Sequence, residues 1–290
     1  MSTISKADQP LTDVTHDPIP TLVIEPSRGW LSLQLGRVWA YRELLYFLVW
    51  RDVKVRYKQT ALGVAWVILQ PVLTTVVFTV LFGLLLDVPS GDLPYPVFAL
   101  AGLIPWTYFS GSLTRASTSL VNSANLITKV YFPRLIIPLT GVLSGLVDFT
   151  IGLGIMLVFL LIYRIPLTPA IFTLPLFLLL AMATALGFGL WLSAFNVRYR
   201  DINYLVPFLI QIWFYVTPVA YGSTLIPERF RWLLALNPMT GVIEGFRWAL
   251  LGQPPPGGGL FVVSIAITLV VLVSGLFYFR RTERTFADIV

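Results

Sequence analysis

The 290-residue chain has no cysteine, a single histidine and few charges: only 12% of its residues are Asp, Glu, Lys or Arg. Without cysteine there is no disulfide, no thiolate metal ligand and no thiol nucleophile. His16 stands alone in a polar, proline-dotted stretch, so neither a histidine metal cluster nor a Ser/His/Asp triad can be assembled. No GxxxxGKS/T run occurs, and no lysine precedes Ser or Thr, which excludes a P-loop. The carboxylates are scattered, and none are paired inside an apolar stretch. What abounds is apolar surface. Some 57% of the residues are hydrophobic, in a chain with half the charge of an average soluble domain, roughly 25%. The sequence therefore describes a membrane protein, and no enzyme site of its own is visible.

A helix needs about 20 apolar residues to cross about 30 Å of hydrocarbon. Six stretches qualify, at about 62–86, 96–114, 135–162, 170–194, 204–221 and 259–279. Pro71 in the first and Pro207 and Pro218 in the fifth predict kinks. The net charge of +6 does not point to nucleic acid, because the basic residues lie in the loops between spans. Sixteen of the twenty Lys and Arg fall on the side of the N-terminus and four on the other (Arg164, Arg229, Arg231, Arg247). The positive-inside rule then puts both termini in the cytoplasm. Residues 1–28 lack a continuous apolar h-region and do not read as a signal peptide; they predict a loosely ordered cytoplasmic tail.

Two further segments lie at the boundary. Residues 37–50 (RVWAYRELLYFLVW) mix three charges with aromatics and leucines, as an interfacial helix does; a short soluble helix packed on a partner is the alternative. On the outer side, Pro227–Leu236 and Met239–Leu251 are separated by Asn237-Pro238 and followed by the turn-rich QPPPGGG. Thirteen helical residues reach only about 20 Å, so neither piece spans and together they predict a re-entrant hairpin, a natural lid over a pathway. The expected fold is an all-α membrane protein: six transmembrane helices, an N-terminal interfacial helix and a re-entrant outer-side hairpin between spans five and six. The tail takes residues 1–36, the transmembrane domain 37–285 and the cytoplasmic C-terminus 286–290.

Asp148, near the middle of span three, is the only ionisable residue deep in a span. It reads either as a functional acid or as a helix-packing residue hydrogen-bonded to a serine or the backbone. No basic partner for it is evident in the sequence, which gives thin support to proton coupling. Aromatics cluster at Trp106, Tyr108 and Phe109 and at Trp213, Phe214 and Tyr215, with Gln211 nearby. They fit an interfacial belt or a path for sugar rings. The run RDVKVRYKQT at 51–60 carries more than stop-transfer charge. With the short loops NSANLITKVYFPR (122–134) and NVRYRD (196–201), it offers a soluble motor something to grip.

RDVKVRYKQTALGVAWVILQP at 51–71 resembles the permease subunits of bacterial ABC exporters for lipid-linked polysaccharides, those of O-antigens, capsules and teichoic acids. KVYFPRLIIPL (129–139), NVRYRDI (196–202) and NPMTGVIEGFRWALLG (237–252) match in the same order, so the resemblance covers about 37–285, with a longer N-terminal tail as the departure. It implies a homodimer joined to two copies of a separate ATPase, which binds ATP and Mg, so that this chain holds no cofactor and is not catalytic. It implies an interface helix at 37–50, with Arg42, Glu43, Arg51, Asp52, Lys54, Arg56, Tyr57 and Lys58 on the juxtamembrane segment. Coupling would run through Asn125, Lys129, Tyr131, Phe132 and Arg134, with Arg198, Arg200 and Asp201 as a second contact. Spans one, two and five would line a channel, with the aromatic clusters and Gln211 facing the sugar. Asn237, Glu244 and Arg247 would belong to an outer gate, the last two spaced i, i+3 for mutual pairing. A channel gated at each end suits a polymer longer than the membrane is thick. Export of a drug or small lipid on the same scaffold, a proton-driven flippase resting on Asp148, and a membrane sugar transferase are the competing readings.

Overall fold

The computed structural model describes residues 35–58, 63–283 and 286. Of the tail expected over residues 1–36, residues 1–34 lie outside them, as do residues 59–62 and most of the extreme C-terminus, while Leu35 and Gly36 already belong to a helix. The described residues are helical, with no strand among them beyond an isolated bridge between Ser90 and Asp92.

The chain enters through α1 (Leu35–Ala40) and α2 (Arg42–Lys58). No Gly or Pro interrupts RELLYFLVWRDVKVRYK, so the interfacial helix does not stop at residue 50 and the basic run 51–58 forms its last two turns. Leu48 is buried while Tyr46, Phe47 and Trp50 stay exposed, which gives α2 one packed face and one aromatic outer face.

Then follow α3 (Gly63–Phe78), extended by a π-helical stretch at Thr79–Leu85, and the 28-residue α4 (Tyr95–Asn122). The short α5 (Ala124–Lys129) leads to α6 (Ile136–Leu143) and α7 (Gly145–Ile162), which meet at Ser144 within one apolar span. After α8 (Leu174–Arg198) come α9 (Ile202–Val216), α10 (Arg231–Ala235), α11 (Pro238–Leu251) and α12 (Gly258–Thr282).

Among the described residues, five segments are long and apolar enough to cross a membrane: Ala65–Leu85, Tyr95–Asn122, Ile136–Ile162, Pro169–Arg198 and Phe261–Thr282. The expected fifth span at 204–221 ends early. Pro218 disfavours a helical residue before it, and Thr217 accordingly turns extended (φ −92°, ψ 136°). Fifteen residues of α9 reach about 22 Å, short of the hydrocarbon thickness. The expected second span runs past residue 114, so Arg115 sits inside α4 and not in a loop.

α4 is the axis of the packed unit, with 78% of its apolar window buried, whereas α3 has only 6% of its own window covered. α8, α6, α7 and α11 pack around α4, and α12 packs on α8. Small residues permit these approaches in the absence of a hydrophobic force between helices in lipid. A Cβ on Gly187 of α8 would lie 2.9 Å from the Leu272 backbone, and one on Gly275 of α12 would lie 2.6 Å from the Gly187 carbonyl. α11 is itself core: Val242, Ile243 and Phe246 are fully buried between α4, α8 and α12.

Candidate functional site

The ends of α2, α4, α8 and α12 and the starts of α6 and α9 share the basic end of the bundle. A second hydrophobic cluster holds this end together, built from Leu48, Leu120, Ile127, Phe132, Phe279 and Phe286 among others. Of the expected coupling residues, Asn125, Lys129 and Tyr131 are exposed, while Phe132 is buried in that cluster. Arg134 turns inward: its backbone N–H donates to Glu283 Oε1 at 3.2 Å and its guanidinium donates to the Glu283 carbonyl. Arg280 completes the set with a 2.7 Å ion pair to Glu283. Arg198, Arg200 and Asp201 are exposed at the α8–α9 turn, alongside exposed Arg42, Glu43, Lys54 and Lys58 on α2. Asn196 fixes that turn from beneath, donating to the Ser117 carbonyl at 3.0 Å and to Asn203 Oδ1 at 2.8 Å.

Asp148 lies in the first turn of α7, towards the basic end. It has the basic partners that no local sequence pattern announces. Arg56 Nη1 donates to Asp148 Oδ2 at 2.5 Å, the Tyr57 hydroxyl donates to Oδ1, and Arg115 Nη1 lies 3.7 Å from Oδ2. Arg56 and Tyr57 come from α2, some ninety residues earlier, so the cluster staples the interfacial helix to two spans. Arg115 is further held by the Gly141 carbonyl, which accepts from Nε at 2.9 Å, and by Ser112 Oγ at 3.2 Å. Burial first, and then the hydrogen bond to Asp148, push the Tyr57 phenol up to about 12, so it remains a donor at any physiological pH. Arg51 and Asp52 pair with each other at 2.8 Å.

At the opposite end, Asn237 joins α9 to α11. Its Oδ1 caps α11 by accepting from the Met239 N–H and also accepts from Trp213 Nε1 at 2.9 Å, while its Nδ2 donates to Thr217 Oγ1 at 2.8 Å. Arg247 does not pair with Glu244. Only 2% exposed, it sends Nη1 to the carbonyls of Pro218 (2.8 Å) and Tyr221 (3.1 Å), sends Nη2 to that of Val219 (2.6 Å), and lies 3.7 Å over the Phe98 ring. The i, i+3 spacing loses because the break at Pro218 leaves carbonyls that no helix satisfies, and these face the guanidinium. Gly102 makes room, since a Cβ there would lie 2.9 Å from both Arg247 Nη2 and the Val219 carbonyl.

The two aromatic clusters pack largely on each other. Trp106 meets Phe214 (5.4 Å between ring centroids) and Phe109 meets Trp213 (4.9 Å). Trp106, Tyr108 and Phe109 are 5%, 2% and 0% exposed, so within this chain their rings zip α4 to its neighbours and do not reach open space. Tyr215, 66% exposed, and Gln211 are the members that face outward. Among the described residues, no group of three His, Asp or Glu is placed to hold a metal ion.

A model of the ABC-2 type transporter family matches residues 43–251. The chain belongs to the ABC-2 type transporters. Matched relatives include the O-antigen export system permease proteins of Klebsiella pneumoniae, 31% identical over 86% of this chain and 95% of the relative, and of Myxococcus xanthus, 32% over 85% and 95%. The polysialic acid transport protein of Escherichia coli is 25% identical over 80% of the chain and 91% of the relative. The family match on this ABC-2 chain runs from α2 through α11, so it takes in the ion cluster and the Arg247 latch alike. Arg115 and Thr217 are the participants that sequence reasoning missed. The signal for Arg115 was that no Gly or Pro follows Gly111 until Pro133, so nothing stops the helix at residue 114.

Proposed function

We propose that this ABC-2 permease is the channel-forming subunit of an ATP-driven exporter that moves lipid-linked polysaccharide across the cytoplasmic membrane. The observation that carries the reading is near-end-to-end similarity to O-antigen export permeases of two organisms, covering 95% of each. The relative named for polysialic acid transport supports the same substrate class. A separate ATPase binds ATP with Mg and hydrolyses the ATP, and two copies of it serve a homodimer of this chain. The basic end, with Asn125, Lys129, Tyr131, Arg198 and Arg200 exposed, is the cytoplasmic docking face.

On this reading α9, α10 and α11 form a sixth crossing, completed by a hairpin that re-enters from the outer side. Arg247 supports it: the residue fixes the loop after α9 against α11 as one unit. Exposed Tyr215 and Gln211 on α9 then face the path. The cytoplasmic ends of α2 and α5 carry the ATPase stroke to the spans, the former through Asp148.

The test is genetic. Deleting the gene in its host removes long-chain surface polysaccharide and leaves the lipid-linked polymer inside, and expressing the full chain with its ATPase restores export. Normal surface polysaccharide in the deletion strain, with no internal polymer, rejects the proposal.

A further inference from the structure

Between α2, α4 and α6 lies a cavity of about 220 Å³ whose walls are unusually polar for an apolar bundle. Arg51, Arg115, Thr118, Ser119, Asn122 and Thr140 line it, with Leu48 and Ile137 as its apolar side. We propose that this cavity binds the phosphate-bearing headgroup of the amphiphile the permease moves, an inference that rests on the export reading above.

Charge argues for an anion. Arg51 and Arg115 meet one carboxylate on the wall, Asp52, and Asp52 is held by Arg51. The carboxylate nearest Arg115 is Asp148, and it lies closer to Arg56, at 2.5 Å against 3.7 Å. Two guanidiniums share that carboxylate, so Arg115, which lines the cavity, has less than a full counter-charge. Its Nε and Nη2 are fixed by the Gly141 carbonyl and Ser112 Oγ, which presents the guanidinium as a rigid fork. The Thr118 and Ser119 hydroxyls donate to helix carbonyls one turn back, so the donors left for an anion are the guanidiniums, the Asn122 amide and the Ser123 hydroxyl. Arg51 uses Nε and Nη2 on Asp52, and its Nη1 is the group to reach inward.

Size narrows the class. At about 30 Å³ per water, the volume matches some seven waters, enough for one or two phosphoryl groups. Nucleotides need the roughly 300 Å³ or more of an ordinary ligand pocket. Position narrows it further. The cavity opens beside an interfacial helix with exposed aromatics at the basic end, the depth at which lipid headgroups sit.

The probe is farnesyl diphosphate, with the full-length chain in phosphatidylcholine nanodiscs and binding followed by competition with a fluorescent derivative. Arg51→Gln and Arg115→Lys should each weaken binding about tenfold, the second because an ammonium lacks the bidentate fork. Melting of each variant is followed in parallel, and Arg51, 45% exposed at the mouth, is the position that leaves the fold intact. Farnesol should not compete, inorganic pyrophosphate should compete at least about tenfold less well, and adding phosphatidylglycerol to the nanodisc should leave the affinity unchanged. Equal competition by farnesol means a greasy groove, by pyrophosphate a free-anion site, and by phosphatidylglycerol a bulk-lipid site; each overturns the proposal, as does unchanged binding in both variants. If binding fails this way while the chain still restores export, only the site is wrong. If site-dependent binding holds and export is not restored, the export reading is wrong.

Discussion

Asp148 faces two guanidiniums and a phenol, all reaching it from other helices. A carboxylate so engaged fastens elements together, and it is poorly free to ferry protons. Breaking a fully buried pair costs about 3–5 kcal/mol. With the Asp148 and Arg56 side chains each 29% exposed, about 1–3 kcal/mol is expected for Asp148→Asn, and a similar loss for Arg56→Gln. Thermal melting in detergent measures both. Matching losses identify an ion-pair staple, whereas abolished transport at unchanged melting, for Asp148→Asn alone, revives the proton reading. The Tyr57 contribution does not titrate in the working range. A phenol raised to about 12 keeps its stabilising bond in full below the usual value near 10 and loses it only as pH climbs past the raised one. Asp148 was visible in the sequence as an unusual acid, but its partners were not. They lie 33 and some 90 residues away, and only tertiary contact selects them from sixteen arginines.

The α9–α11 region shows how a helix end can be supplied from another element. Pro218 ends the helical path, and Arg247 on α11 takes the carbonyls of Pro218, Val219 and Tyr221. Arg247→Met should strand those acceptors in an apolar surround at about 2–4 kcal/mol, and Gly102→Val should displace the same guanidinium from the α4 side. Both should lower the melting temperature, with the loss in the double variant well short of additive; full additivity means that the two residues do not share one latch. The helix α11 was legible, because Asn237-Pro238 and Gly252 bound it and Gly252 does adopt φ 66°. Its burial was not legible, since an amphipathic 14-mer looks the same on a surface as between three helices. The segment proposed for coupling divides similarly. Phe132 is 5% exposed in the basic-end core, so Phe132→Ala should cost about 3 kcal/mol or more and would confound any docking assay. Tyr131, 60% exposed, is the clean probe. Tyr131→Ala with Lys129→Glu should leave melting unchanged and reduce co-purification of the ATPase several-fold, and intact co-purification would move the docking site off α5.

On the scale of the whole molecule, apolar surface remains uncovered in a way that separates two kinds of neighbour. α3 is nearly bare, and α9 exposes Leu205, Phe208, Leu209, Ile212 and Tyr215, yet at 15 residues it is too short to stand alone against lipid. A short helix with an apolar outer face and Gln211 upon it is better placed against protein and a water-filled path than against hydrocarbon. α7 belongs to the full-length span Ile136–Ile162, and its outward Leu157, Val158 and Leu161 carry no polar group, as on a lipid-facing helix. The absence of cysteine makes the distinction measurable, because a single introduced thiol has no competitor in the chain. Leu73→Cys on α3 and Ile212→Cys on α9 should form disulfide-linked dimers in native membranes under mild oxidation. Leu161→Cys, although 79% exposed, should not. Equal cross-linking at all three positions would mean random collision, and cross-linking at Leu161 alone would put the second copy on the α7 face and α9 against lipid, which its length argues against.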